Sequence, residues 1–332
     1  MFAGSEPLLK DDRFFRRVAL DCHAESGSQF LARRGVLPQK KQSLAEEPSN
    51  MKSILLIGTT LASALALAGQ PLSPVDETTQ AEDGEFSADR PGFGVSTNVL
   101  PRGVVQFETG FTFTSEADRK TLCRTLTWGS PLARLGVGKR TEIRFGGDGF
   151  LASRTEGAVH TDSAHGWSDF GVGAKIALFE GRALIPAFSL IPTLSLPVGS
   201  HAFTRSAIDP GVALSWSMNL PAKFSTGGAI GYASISDGIG RLAQRTYAMS
   251  IGHPLRAGFS GYAEVYNVSP AARAGSATWL FDGGVTHALG PNAAFDVEMG
   301  RRVLSSTTCW FVSMGFAVRT GALRHLLPLP PR

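Results

Sequence analysis

Little in this sequence is suited to chemistry. Its 332 residues include three cysteines and seven histidines. Cys123 and Cys309 are isolated and the histidines fall at no metal-ligand spacing, so neither a metal nor a cofactor is expected. Charge of one sign is scarce as well. The formal net charge is +4 and there is no basic stripe, which argues against a nucleic-acid partner. Long apolar runs are confined to one, residues 54–68. A hydrophobic fraction of 43% and a mean hydropathy of +0.03 would suit a soluble globular protein. A membrane-spanning barrel gives similar values, because only alternate residues face lipid.

The apolar run follows Met51-Lys52-Ser53 and ends in Ala66-Leu67-Ala68. A lysine, a short apolar stretch and an A-x-A site make a secretory signal peptide over 51–68, cleaved after Ala68. Residues 1–50, polar and without sustained periodicity, are then a non-native extension, with translation starting at Met51. Residues 69–103 follow as a periplasmic lead segment, rich at first in Pro, Thr, Asp and Glu.

What the chain does contain is alternation. In Val105 to Thr114, Val105, Phe107, Phe111 and Phe113 fall on one face, and Gln106, Glu108, Gly110, Thr112 and Thr114 on the other. A period of two is a strand. The pattern recurs in Leu122–Trp128, around Ile143 and Phe145, and in Asp169–Leu178, Leu184–Val198, Val212–Met218 and Phe224–Ile235. It continues through Tyr247–Ile251, Phe259–Tyr266, Trp279–Val285, Phe295–Met299 and Trp310–Val318. Arg124 interrupts the apolar face of the second strand, 224–235 is Gly-rich and weakly patterned, and 151–166 reads as a polar loop. Short turns near 138, 181, 221, 255 and 290 alternate with longer connections expected near 117, 158, 203, 239, 272 and 305.

The fold class expected is therefore all-β, a transmembrane antiparallel up-and-down β-barrel of about 12 strands over 104–319, with a C-terminal tail at 320–332. A closed wall leaves no unpaired strand edge in hydrocarbon. Cys123 and Cys309 would lie on the second and twelfth strands, two inter-strand spacings apart, too far for a disulfide.

Catalytic groups are not apparent. His165 beside Ser163 and Ser168 is the nearest approach to a Ser–His arrangement, and Gly136-Val137-Gly138-Lys139-Arg140-Thr141 lacks the spacing of a phosphate loop.

Asp89-Arg90-Pro91-Gly92-Phe93, Arg102-Gly103 and Gln106-Phe107-Glu108-Thr109-Gly110-Phe111 resemble the start of the outer-membrane transporter-like family named for the MetA pathway of phenol degradation. Trp167-Ser168-Asp169-Phe170-Gly171-Val172-Gly173-Ala174-Lys175 is similar to a strand of that family. So are Leu194 to Gly199, with Val198 where Thr is usual, and Pro291-Asn292 before Phe295-Asp296. The resemblance runs from about Asp89 to Arg319. It implies a transporter or channel in the outer membrane of a Gram-negative bacterium, assembled by the barrel assembly machinery, with Phe316 the candidate for the assembly signal.

The inward face expected from the alternation holds Gln106, Glu108, Glu142, Arg144, Asp169, Lys175, Tyr262, Glu264, Asp282, Asp296 and Glu298. Those groups line a selective pore, or form an ion-pair network that packs the barrel. The function expected is non-enzymatic: passive transport of small, aromatic or hydrophobic molecules, with outer-membrane lipid and the permeant as partners. A sealed structural barrel and a lipid-modifying outer-membrane enzyme are the alternatives. Asp89-Arg90-Pro91 is expected to be a plug or seal ahead of the first strand.

Overall fold

A computed structural model describes residues 86–320, except 183, 274 and 306. The expected extension, the signal peptide, residues 69–85 of the lead and residues 321–332 lie outside the described residues.

Fourteen strands form one antiparallel sheet. They are β1 (Val105–Ala117), β2 (Thr121–Gly136), β3 (Thr141–Gly147), β4 (Gly149–Gly157), β5 (Thr161–Trp167), β6 (Phe170–Phe179) and β7 (Ala187–Leu196). The second half holds β8 (Asp209–Asn219), β9 (Ser225–Ser236), β10 (Arg241–Pro254), β11 (Phe259–Val268), β12 (Thr278–Ala288), β13 (Ala293–Val303) and β14 (Thr308–Arg319). Two pairs run end to end. β3 and β4 together follow β2, broken at Asp148, and β5 and β6 follow them, broken at 168–169. The wall thus has twelve staves, and β1 closes it by pairing with both β2 and β14.

Polarity is inverted relative to a soluble core. Phe107, Phe113, Trp128, Tyr247, Met249, Trp279, Phe281, Met299, Trp310 and Met314 are exposed on the outer face. Gln106, Glu108, Arg134, Glu142, Arg144 and Lys175 are among the least accessible side chains. In water, each Å² of that outer apolar surface would cost about 25 cal/mol, and soluble monomers rarely expose so broad a belt. In hydrocarbon the cost disappears, which makes this a barrel of the membrane-spanning type.

Three expectations change. Residues 151–166 are not a loop but most of β4 and β5. Ser153 and Thr155 face inward while Arg154 and Glu156 face outward; with both faces polar, a period of two carries no hydropathy signal. The connections near 117, 158, 239 and 305 are tight turns, so the strands themselves extend outward in place of long loops. Asp118 Oδ1 accepts the Lys120 and Thr121 amides at 2.6 and 2.7 Å, and Asp237 Oδ1 accepts those of Ile239 and Gly240 at 3.0 and 2.7 Å. An aspartate that bonds the backbone two and three residues on closes a turn that composition alone reads as a loop. Finally, β2 continues to Gly136, beyond Trp128, where the alternation read from the sequence ends. Gly129 and Ser130 take positive φ values of 96° and 26°, and the register with β1 shifts between Glu108 and Gly110. This is a bulge inside one strand.

In the proline- and glycine-rich stretches 186–199 and 224–231, β9 is paired on both sides and β7 is paired with β8 throughout. The β6–β7 pairing lapses between Gly173–Thr193 and Ile176–Leu190. Pro192, without an amide hydrogen, sits in that interval. The outer edge of β5 is also without a strand partner among the described residues. Cys123 and Cys309 align with Glu116 from opposite sides of β1, one stave away on each.

Candidate functional site

The inward-facing groups do not surround an empty bore. Residues 86–104 enter the barrel, turn near Phe93 and return to the rim, where Gly103 N–H donates to the Gly136 carbonyl at 2.8 Å just ahead of β1. Asp89 and Arg90 divide the interior between them.

Asp89 faces a basic wall on three neighbouring staves. Lys175 Nζ on β6 donates to both carboxylate oxygens at 2.9 Å, Arg144 Nη1 on β3 to Oδ2 at 2.5 Å, and Arg134 Nη1 on β2 lies 3.7 Å from Oδ1. Arg134 also holds Glu142 with a two-pronged contact, Nε to Oε1 at 2.8 Å and Nη2 to Oε2 at 2.9 Å, and reaches Glu108 Oε1 at 3.1 Å. Glu108 in turn accepts the backbone amides of Asp89 and Arg90 at 3.0 and 3.1 Å. Gln106 Nε2 donates to the Ser87 carbonyl at 3.0 Å and to Glu108 at 2.9 Å. Each buried charge on this basic wall has a counter-charge within reach, as low local dielectric requires.

Arg90 points to the opposite, acidic wall. Its Nη2 donates to Ser313 Oγ at 2.9 Å and lies 3.5 Å from Asp296 Oδ1. Glu264 on β11 accepts the Phe93 and Gly94 amides at 2.5 and 2.9 Å. Phe93 stacks on Tyr266 with ring centroids 4.1 Å apart and meets Phe311 edge-on at 6.0 Å. Glu298 lines a cavity of about 20 Å³ with Arg90, Gly92 and Ser313, which is room for about one water. Asp282 is buried directly opposite Glu264, with the Tyr262 hydroxyl beside its carboxylate.

Of the residues singled out by alternation, Gln106, Glu108, Glu142, Arg144 and Lys175 gather around Asp89 and its flanking backbone. Glu264, Asp282, Asp296 and Glu298 gather on β11–β13, beside a half-buried Tyr262. Asp169 stands apart: its carboxylate accepts the Gly199 and Arg205 amides at 3.0 and 2.8 Å and anchors the 197–208 connection. Arg134, Tyr266, Phe311 and Ser313 were not singled out. Arg134 lay beyond the apparent end of its strand, and the others are neutral residues whose importance depends on what the inserted segment touches.

His165 and Ser163 are exposed on β5, and Ser168 accepts the Gly149 amide at 3.1 Å and donates to the Asp169 carbonyl at 3.1 Å. No Ser–His hydrogen bond joins them among the described residues.

At the rim, a cavity of about 760 Å³ opens beside the returning segment, between Thr97–Val99 and the β6–β7 and β8–β9 turns.

Residues 88–320 match a family model described as "Putative MetA-pathway of phenol degradation". No curated protein matches the sequence. Among solved structures, the chain is similar to an outer membrane channel from Pseudomonas putida F1, at a TM-score of 0.55 and 12% identity, covering 70% of this chain and 99% of that one. At that identity the likeness is one of fold. Looser likenesses are to the translocator domain of the autotransporter NalP from Neisseria meningitidis and to the CymD monoaromatic hydrocarbon channel. The first has a TM-score of 0.43 and 9% identity over 81% of this chain and 98% of that one. The second has 0.37 and 7% over 66% and 89%.

Proposed function

The chain belongs to the family of the MetA pathway of phenol degradation, and on that premise we propose that it is a passive outer-membrane channel for small molecules, phenol-like aromatics among them. The observation that carries this reading is the segment 86–104, held inside a closed barrel by hydrogen bonds, ion pairs and the ring contacts of Phe93. Noncovalent anchorage lets the segment yield without breaking the wall. A permeant then passes along the axis, or leaves sideways through the β6–β7 lapse beside Pro192. Neither route calls for a cofactor or a covalent step.

The test is uptake of a panel of aromatic and aliphatic solutes into liposomes, with the full chain and with residues 88–98 deleted. Faster uptake of aromatics than of equally sized sugars supports the proposal, and a rate equal to that of protein-free liposomes refutes it.

A sealed structural barrel is favoured by one observation: Asp89, Glu108, Glu142, Arg134, Arg144 and Lys175 neutralise one another so fully that the basic wall offers a permeant no spare charge. Current steps in planar bilayers that grow on deletion of 88–98 speak against a seal.

A further inference from the structure

The outer face carries an oddity that the channel reading does not use. Arg124 breaks the apolar face of β2, and the register shows that it does not stand alone. Arg154 on β4 pairs with Arg124, Arg124 with Ser115 on β1, Ser115 with Trp310 on β14, and Trp310 with Arg301 on β13. Five side chains from five adjacent staves thus form one row, all on the outward phase. Arg154, Arg124 and Trp310 are 62%, 47% and 43% exposed, and Arg301 is exposed as well.

The next row toward the middle of the barrel is apolar: Leu126 pairs with Phe113, Phe113 with Val312, and Val312 with Met299. A lipid-facing arginine is strongly destabilising at the bilayer midplane and nearly neutral at the interface. Along each stave, the step from Leu126 to Arg124 on β2 and from Met299 to Arg301 on β13 therefore marks where hydrocarbon gives way to headgroups. Trp310 within the row is where an interfacial aromatic belongs.

The charges of the row are unbalanced. Glu156 Oε1 accepts from Arg124 Nη1 at 3.2 Å and lies 3.0 Å from Arg154 Nε, so one carboxylate serves two guanidiniums. Arg301 adds a third. At about 4.8 Å per stave, Arg154 and Arg124 make one locus and Arg301 a second about 14 Å away. Guanidinium is the side-chain group best matched to phosphate oxygens.

We propose that this row is a docking surface for a membrane lipid whose headgroup carries two phosphates, one at the Arg124–Arg154 pair and one at Arg301. The acyl chains would lie on the apolar row below. The inference does not depend on whether the barrel conducts.

The experiment is co-purification of the full-length protein in detergent with lipid A or with lipid A stripped of its phosphates, the bound lipid being counted by native mass spectrometry. The wild type should retain lipid A over the phosphate-free form. Arg124→Gln and Arg301→Gln should each lower that retention about fivefold, as one basic side chain at a membrane surface does. Equal retention of the two lipids by the wild type overturns the proposal, as does undiminished retention by the folded double variant. Heat-modifiable mobility identifies folded protein; if the double variant does not fold, the wild-type comparison of the two lipids decides alone.

Discussion

Gly110 on β1 and Gly315 on β14 face each other across the seam that closes the barrel, and a Cβ on either would collide with the Arg90 guanidinium. The absence of two side chains is what admits a third. Arg90 fills the slot they leave and reaches Ser313 and Asp296 beyond it. Gly315→Val closes that slot while removing no charged group, its Cβ meeting both the Arg90 guanidinium and Asp296 Oδ2. The expected outcome is a displaced segment and larger single-channel conductance, at unchanged heat-modifiable mobility. Conductance equal to wild type would mean that Arg90 is not what holds the segment in place.

Asp89→Asn keeps the shape of the side chain and removes its charge, leaving Arg144 and Lys175 each short of a counter-charge in a site sealed from water. Breaking a buried pair from one side costs about 3–5 kcal/mol. That cost falls on the docked state of the segment, so residues 86–98 should become accessible to protease in detergent while the barrel stays resistant. A segment as protected as in wild type would count against the role given to Asp89.

Arg134→Met should act on the wall itself, because Glu108 and Glu142 both lose their main partner. A fall of about 3–5 kcal/mol in urea unfolding is expected. Arg140→Met provides the contrast. Its pair with Glu180 at 3.3 Å is exposed on both sides, so its effect should stay within about 1 kcal/mol.

At the β1–β2 turn, the Lys120 amide donates to the Asp118 carboxylate and holds its pKa below the ordinary 3.8. A depressed folded value means that the contribution to turn stability is present above the ordinary pKa and lost as pH falls through the lower one. By NMR, the Lys120 amide shift should titrate with a midpoint below 3.8, and Asp118→Asn should abolish the titration. A midpoint at or above the ordinary value would contradict the turn geometry.

These elements were unequally legible in the sequence. The strands that cross hydrocarbon announced themselves, since an outer face of Phe107, Phe111 and Phe113 against Glu108 and Thr112 leaves one period possible. β4 and β5 did not, because from Ser153 to Ser163 both of their faces carry polar side chains. The inserted segment shows no period at all. Its conformation is fixed by partners as far away in sequence as Ser313, 223 residues from Arg90, and no local rule carries such information. Charged residues at inward positions could be named from alternation alone, but their division into a basic and an acidic wall required the strand order.

The β6–β7 lapse offers a test of route. Ile176 and Leu190 are register partners at its edge, at a separation a disulfide can bridge. Ile176→Cys with Leu190→Cys, oxidised, should slow aromatic uptake and leave ionic conductance unchanged if the exit is lateral. Slowing of both to the same degree would point to the axial route.

The far-flung partners of Arg90 also bear on how the molecule comes into being. Asp89 can meet Arg134, Arg144 and Lys175 once the first staves exist, but Ser313 and Asp296 belong to the last two. The seam between β1 and β14 is likewise the last pairing that chain order allows. Closing the wall and seating Arg90 are then a single event, and a nascent barrel with an open seam leaves Arg90 waiting for the chain's final hairpin.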